Sequence, residues 1–159
     1  MTIAICSIGL GELESLLGDP TRLGRIPVVP GALPPEFILE DAVAALREGR
    51  PSIWYSPFAF VRSDPAQIVG TGGFKSLPAR GRIEIGYGVA ESCRGRGIAT
   101  AAVKELCALA FCQPGVTEIY AESATGNRPS RRVLEKTKFR HVGERQAESG
   151  LVDRWIFAK

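Results

Sequence analysis

Residues 92–103 read SCRGRGIATAAV, and their order suits the capture of an anion. Gly95 and Gly97 stand immediately before a run of small apolar residues that reads as a helix, so the backbone there can approach a ligand closely. A helix start leaves N–H groups unpaired and carries the positive end of the helix dipole. Arg94 and Arg96 add charge that can pair with phosphates around such a cradle. The same residues also fit an ordinary glycine-containing loop ahead of a core helix. A Walker loop is excluded, because no Gly-Lys-Ser or Gly-Lys-Thr follows. A dinucleotide site is a weaker rival. Gly95 and Gly97 supply its G-x-G and Glu122 stands at a strand end where a ribose-binding acid belongs, but Thr100 replaces the third glycine and the strands before it read as antiparallel.

The elements that must position these residues follow from periodicity and punctuation. TIAICSIG reads as a first strand and GELESLLG as a short helix that stops at Gly18, Asp19 and Pro20. From there to Pro35 the prolines are too dense for a regular element, so residues 18–35 are expected to form a loop over one face. PPEFILEDAVAALREG has proline at a helix start, acids in the first turns, Phe37, Val43 and Leu46 at helical spacing and Gly49 as a stop. Three aromatic and β-branched runs follow over 51–63, 67–76 and 81–89, an expected antiparallel meander. GIATAAVKELCALAFC is apolar on nearly all sides, as suits a helix buried against a sheet. VTEIYAES is the next strand, NRPSRRVLEKTK the next helix, and FRHVGERQ and LVDRWIFAK the closing strands. This order predicts a mixed α/β (α+β) fold, a largely antiparallel central sheet with helices on both faces, in a single domain over 1–159.

Composition narrows the class. The 159 residues are 45% hydrophobic and 23% charged with a net charge of +3, which fits a globular domain without a concentrated basic face, so no nucleic-acid partner is expected. The N-terminal stretch does not read as a signal peptide, and no apolar run approaches a membrane span, so no membrane partner is expected either. Cys6, Cys93, Cys107 and Cys112 show no C-x-x-C spacing and His141 is the single histidine, which argues against metal and for a reduced, cytoplasmic setting. Arg94 beside Cys93 is the kind of neighbour that can activate a thiol, but a small bystander residue is the better reading of Cys93.

The stretch IEIGYGVAESCRGRGIATAAV resembles the acetyl-CoA-binding core of the GNAT N-acetyltransferase superfamily, whose R/Q-x-x-G-x-G/A signature is matched by Arg94, Gly97 and Ala99. Downstream, Asn127, Ser130, Lys136 and Phe139 match a second pattern in step. The branch most resembled includes ribosomal-protein N-terminal and other small-amine acetyltransferases. The resemblance covers residues 66 to 143 well; the first 65 residues agree only in element order.

The resemblance implies an enzyme that moves an acetyl group from acetyl-CoA directly to a primary amine, with no metal. It implies that the backbone near Val89 pairs with the pantetheine arm and that Arg94, Gly95, Arg96, Gly97, Ile98, Ala99 and Thr100 hold the pyrophosphate. Asn127 and Ser130 would meet pantetheine and the sulfur. Direct transfer needs a base for the amine and a proton for the leaving thiolate. Glu84, on one strand face with Gly86 and Gly88, is the leading base, and Glu122 on the neighbouring strand is the second. Where many relatives have an acidic tyrosine this chain has Leu134, which leaves Tyr87 and Tyr120 as unplaced acids. Lys138 replaces a usual glycine, and Gly88 a frequent aromatic. The loop 18–35 is expected to border the acceptor pocket, and an exposed closing strand would suit a homodimer. A catalytically silent acyl-CoA-binding module is the alternative.

Overall fold

Side chains of Arg82–Val89 and Glu118–Ala124 alternate between buried and accessible, the period of two that sets one row of a strand on the core and the next on the opposite face. The computed structural model describes residues 2–159. In chain order they form β1 (Ile3–Ser7), α1 (Leu10–Gly18), β2 (Arg22–Leu23), β3 (Ile26–Pro27), α2 (Glu36–Arg47), α3 (Ser52–Tyr55), β4 (Phe58–Arg62), β5 (Gln67–Phe74) and β6 (Arg82–Val89). A 3-10 turn at Glu91–Cys93 leads to α4 (Ile98–Phe111), β7 (Glu118–Ala124), α5 (Arg128–Lys136), β8 (Arg140–Ala147) and β9 (Gly150–Ala158).

Seven strands make one sheet in the order β1-β4-β5-β6-β7-β9-β8, with β2 and β3 as a separate small hairpin. Each neighbouring pair is antiparallel except β6 and β7, which run parallel. Helix α4 lies along β1, β6 and β7 with α5 beside it. Ala102, Val103, Leu106 and Ala110 of α4 are buried, the spacing of an apolar stripe laid on a sheet. Thr71 alternates away from that face and donates to the Ala32 carbonyl at 3.2 Å. The segment 18–35 therefore covers the opposite face, flanked by α1 and α2, which pack on one another. The expected mixed, largely antiparallel sheet with helices on both faces is the observed one.

Close approach of β5 to β6 depends on Gly70. A Cβ there would stand 2.4 Å from the Gly88 carbonyl oxygen and 2.9 Å from the Phe60 ring. Gly72 likewise leaves room opposite Tyr87, its partner across the ladder.

Three local expectations differ from the structure. Residues 18–35 are not all loop, because Arg22–Leu23 and Ile26–Pro27 pair around a turn in which Gly24 takes φ 60°. The run 51–63 does not begin as a strand: Pro51 opens the single turn α3, which sets Trp54 edge-on to Phe74 at 5.0 Å, and β4 starts only at Phe58. In α2 the buried face is Leu39, Ala42 and Val43, whereas Phe37 is 59% exposed. Of the two closing strands, β8 is the exposed outer one, because β9 pairs with β7 on one side and with β8 on the other.

Lys138, just past α5, holds φ 71°, a left-handed conformation that costs a side-chain-bearing residue about 1 kcal/mol relative to glycine. Lys138→Gly is expected to stabilise the protein by about 1 kcal/mol in denaturant unfolding, and no gain would contradict the strain. Cys107, buried in α4, has its thiol pushed up from 9.0 to about 12 by burial. A raised native pKa means the unfolded chain loses its proton first, so this contribution is intact below pH 9 and is lost as pH rises from there towards 12. Cys107→Ala should be less stable than the parent at neutral pH by a margin that shrinks by up to about 1.4 kcal/mol per pH unit above 9, read from unfolding curves across that range. A margin independent of pH would contradict it.

Candidate functional site

Strands β6 and β7 pair only where Arg82, Ile83 and Glu84 stand opposite Glu118, Ile119 and Tyr120. Beyond Glu84, β6 continues beside β5 to Val89 and β7 continues beside β9, so the two part and leave a gap in the sheet. The Glu84 carbonyl accepts from the Lys75 N–H at 3.0 Å, and the Ala90 N–H donates to the Val69 carbonyl at 2.8 Å. Alternation between those two bonds turns the backbone groups of Ile85, Tyr87 and Val89 away from β5 and into the gap. One of them, the Val89 carbonyl, accepts from Arg94 Nε at 3.3 Å.

The gap runs into the start of α4. Gly95 and Gly97 hold φ 78° and 75°, and a side-chain carbon built at either would meet open space. Gly97 caps α4 without any side-chain hydrogen bond, which leaves the amides of Ile98, Ala99 and Thr100 without helical or capping partners. The start of α5 is closed differently: Asn127 Oδ1 accepts from the Ser130 N–H at 3.2 Å.

These features share a cleft of about 490 Å³. Val89, Arg94, Gly95, Gly97, Ile98, Ala99, Thr100, Asn127 and Ser130 all line it, together with buried Cys93. Arg96 is exposed and lies outside the lining. Sequence reasoning did not assign Arg132 or Lys136 as contacts, although Pro129, Arg132, Val133 and Lys136 recur at helical spacing and turn one face of α5 to the cleft. A shallower groove of about 380 Å³ adjoins it, sharing Gly97, Thr100 and Lys136 and adding Lys104. Open amides at a helix start, flanked by Arg94, Arg132 and Lys136, are an arrangement suited to a multiply charged anion. No group of three or more potential metal ligands occurs among the described residues.

Tyr87 crosses the gap. Its hydroxyl lies 3.0 Å from Ser130 Oγ, and burial raises the phenol's pKa, an effect partly offset by that hydrogen bond. His141 is elsewhere, bonded through Nε2 to Asp153 at 2.9 Å.

Glu84 and Glu122 are not in the cleft lining; alternation sets them on the other face of the sheet. Glu84 accepts from Lys75 Nζ at 3.0 Å, and the Lys75 stem lies over Gly86, where a Cβ would stand 3.0 Å from Cε. Glu122 accepts two hydrogen bonds from Arg145, at 2.8 and 2.9 Å. Between them sits Tyr120, whose phenol is pushed up by burial and by the Glu84 charge, with Arg82 over its ring opposing. The two carboxylates thus flank the line where β6 and β7 separate. The loop 18–35 contributes nothing to the cleft lining.

The sequence profile of the acetyltransferase (GNAT) domain matches residues 11–140. An uncharacterized N-acetyltransferase, p20, of Bacillus licheniformis is 28% identical over 106 residues, which is 64% of this chain and 60% of that protein. Among solved structures, the ribosomal-protein-S5-alanine acetyltransferase of Vibrio fischeri superposes with a TM-score of 0.73 at 16% identity, covering 99% of this chain and 93% of that one. An aminoglycoside acetyltransferase solved with coenzyme A gives 0.69 at 19% identity, covering 99% and 95%. RimJ of Mycobacterium smegmatis, solved with CoA-disulfide, gives 0.69 at 21%, covering 98% and 81%. At these identities the likeness establishes the fold.

Proposed function

Starting from a chain that belongs to the GNAT acetyltransferase family, we propose that it carries an acetyl group from acetyl-CoA to the primary amine of a small molecule, a peptide or a protein N-terminus. The observation that carries the reading is the convergence of a free strand edge and an uncapped helix start on one cleft. Backbone groups of Tyr87 and Val89 suit an extended arm added like a strand, which is the form of pantetheine. The amides of Ile98, Ala99 and Thr100 suit a pyrophosphate, with Arg94, Arg132 and Lys136 supplying charge around it. Ser130 then lies beside the sulfur and Asn127 beside the arm.

In the transfer, the amine nitrogen attacks the thioester carbonyl directly, so the chain needs no nucleophile of its own. Its residues have to take a proton from the amine and stabilise the separating charge. Glu84, at the last paired residue before the gap, is our base, acting directly or through a water, and Glu122 is the reserve. The Lys75 ammonium, now on Glu84, occupies a position that an incoming ammonium can take over. Names of the solved neighbours include aminoglycoside, spermidine and ribosomal-protein acetyltransferases, which supports an amine acceptor without selecting one. The proposal extends to one domain over 1–159, a cytoplasmic setting consistent with four free thiols, and self-association through the outer edge of β8.

The test is turnover of acetyl-CoA against a panel of amines with the parent and Glu84→Gln. The parent is expected to acetylate at least one amine, and the variant to lose about 100-fold in kcat. Turnover unchanged in the variant across pH would remove Glu84 from the base role. Acetyl-CoA binding with no acetylated amine would favour a catalytically silent module.

A further inference from the structure

We propose that Tyr87 is the proton reservoir for the departing thiolate, delivering through Ser130; this rests on the acetyl-transfer reading above. Tyr87 sits on β6 beyond the last residue paired with β7, on the face turned to α5, and its hydroxyl spans the gap to Ser130 Oγ at 3.0 Å. Both residues line the cleft. The geometry is built rather than incidental, since Gly72 directly across the ladder leaves the space into which a side chain would crowd Tyr87 Cβ at 3.0 Å.

Chemistry distinguishes the two hydroxyls. An ordinary thiol ionises near pH 8.5 and a phenol near 10, and burial holds Tyr87 above the ordinary phenol, so a proton moving from phenol to thiolate runs uphill by at least about 1.5 units, still far less than from an aliphatic hydroxyl. An aliphatic hydroxyl is a far weaker acid, and Ser130 alone would pass its proton steeply uphill. With Tyr87 donating to it, Ser130 is free to point its own hydrogen at the sulfur and is reprotonated as it gives that hydrogen up. As the amine nitrogen bonds to the acetyl carbon, the carbon–sulfur electron pair leaves with sulfur. Sulfur takes the Ser130 proton, Ser130 takes the Tyr87 proton, and the phenolate recovers one from water in the cleft. The amine's surplus proton leaves by Glu84, so the protein ends each turnover unchanged. Ser130 is the group that touches the sulfur, and Tyr87 acts through it as a positioning and proton-supplying residue.

The experiment compares Tyr87→Phe and Ser130→Ala with the parent in two readouts. The first is kcat and KM for acetyl-CoA. The second is calorimetric affinity for CoA against desulfo-CoA, measured near pH 9, where about half or more of the free thiol is ionised. The parent should prefer CoA roughly tenfold, the strength of one charge-assisted hydrogen bond. Ser130→Ala should abolish that preference. Tyr87→Phe should cut it to about threefold or less and lower kcat by about 100-fold with KM within threefold. A Tyr87→Phe protein that keeps the full preference and kcat, or that weakens CoA and desulfo-CoA alike with a raised KM, overturns the relay and leaves the acetyl-transfer reading standing. A parent that neither binds CoA nor turns over acetyl-CoA overturns both.

Discussion

The structure turns on a sheet that stops pairing with itself. β6 and β7 share a short parallel ladder that ends at Glu84 and Tyr120, after which each strand is held only by its outer neighbour. β7 is committed to β9 along its whole length, and β6 is drawn to β5 by the glycine contact at Gly70. Neither can bend back to close the gap without abandoning those ladders. Backbone groups of Ile85, Tyr87 and Val89 are thereby left facing the opening, where the Val89 carbonyl is already held by Arg94. In the proposed reading, an extended ligand arm pairs with the groups still open on β6, so the edge that opens the cleft also offers it hydrogen-bond partners.

The gap also joins two chemically different faces. On the α4–α5 side, Arg94, Arg132 and Lys136 surround open amides, a setting for phosphate. On the other side, Glu84 and Glu122 lie beside Tyr120, each held by its own cation. Lys75 and Arg145 are half exposed, so these ion pairs add little to stability. Their effect is to fix where the carboxylates sit. In the proposed reaction, the charge assigned to one substrate is thus separated by the sheet from the charge assigned to the proton, and the two sides meet where the strands part.

Much of this was legible in the residues. Glycine before a small-residue helix pointed to positive φ and close backbone approach, and Gly95 and Gly97 do hold such angles. Alternation put Glu84, Gly86 and Gly88 on one face, and the family resemblance marked Lys138 as standing where a glycine is usual, the position that holds φ 71°. The failures have physical causes. Phe37 fits a helical apolar stripe, yet Leu39, Ala42 and Val43 face the core, because the register of α2 is chosen by packing. Pro51 and Pro57 leave room for one helical turn inside an aromatic run that periodicity alone reads as strand. Strand order is long-range, and no local signal inserts β9 between β7 and β8. The contact between Tyr87 and Ser130 joins residues 43 apart and exists only because the sheet opens between them.

The central claim is that the open strand edge and the cradle of α4 together bind acetyl-CoA. It is tested most directly by calorimetric titration of acetyl-CoA, with NADH as comparator, into the parent and into Gly97→Ala. Acetyl-CoA is expected to bind the parent saturably, NADH to show no comparable binding, and a folded Gly97→Ala protein to lose at least roughly tenfold, because its new side chain strains the αL cap and disturbs the amides. Preference for NADH, or acetyl-CoA binding undiminished by Gly97→Ala, would contradict it.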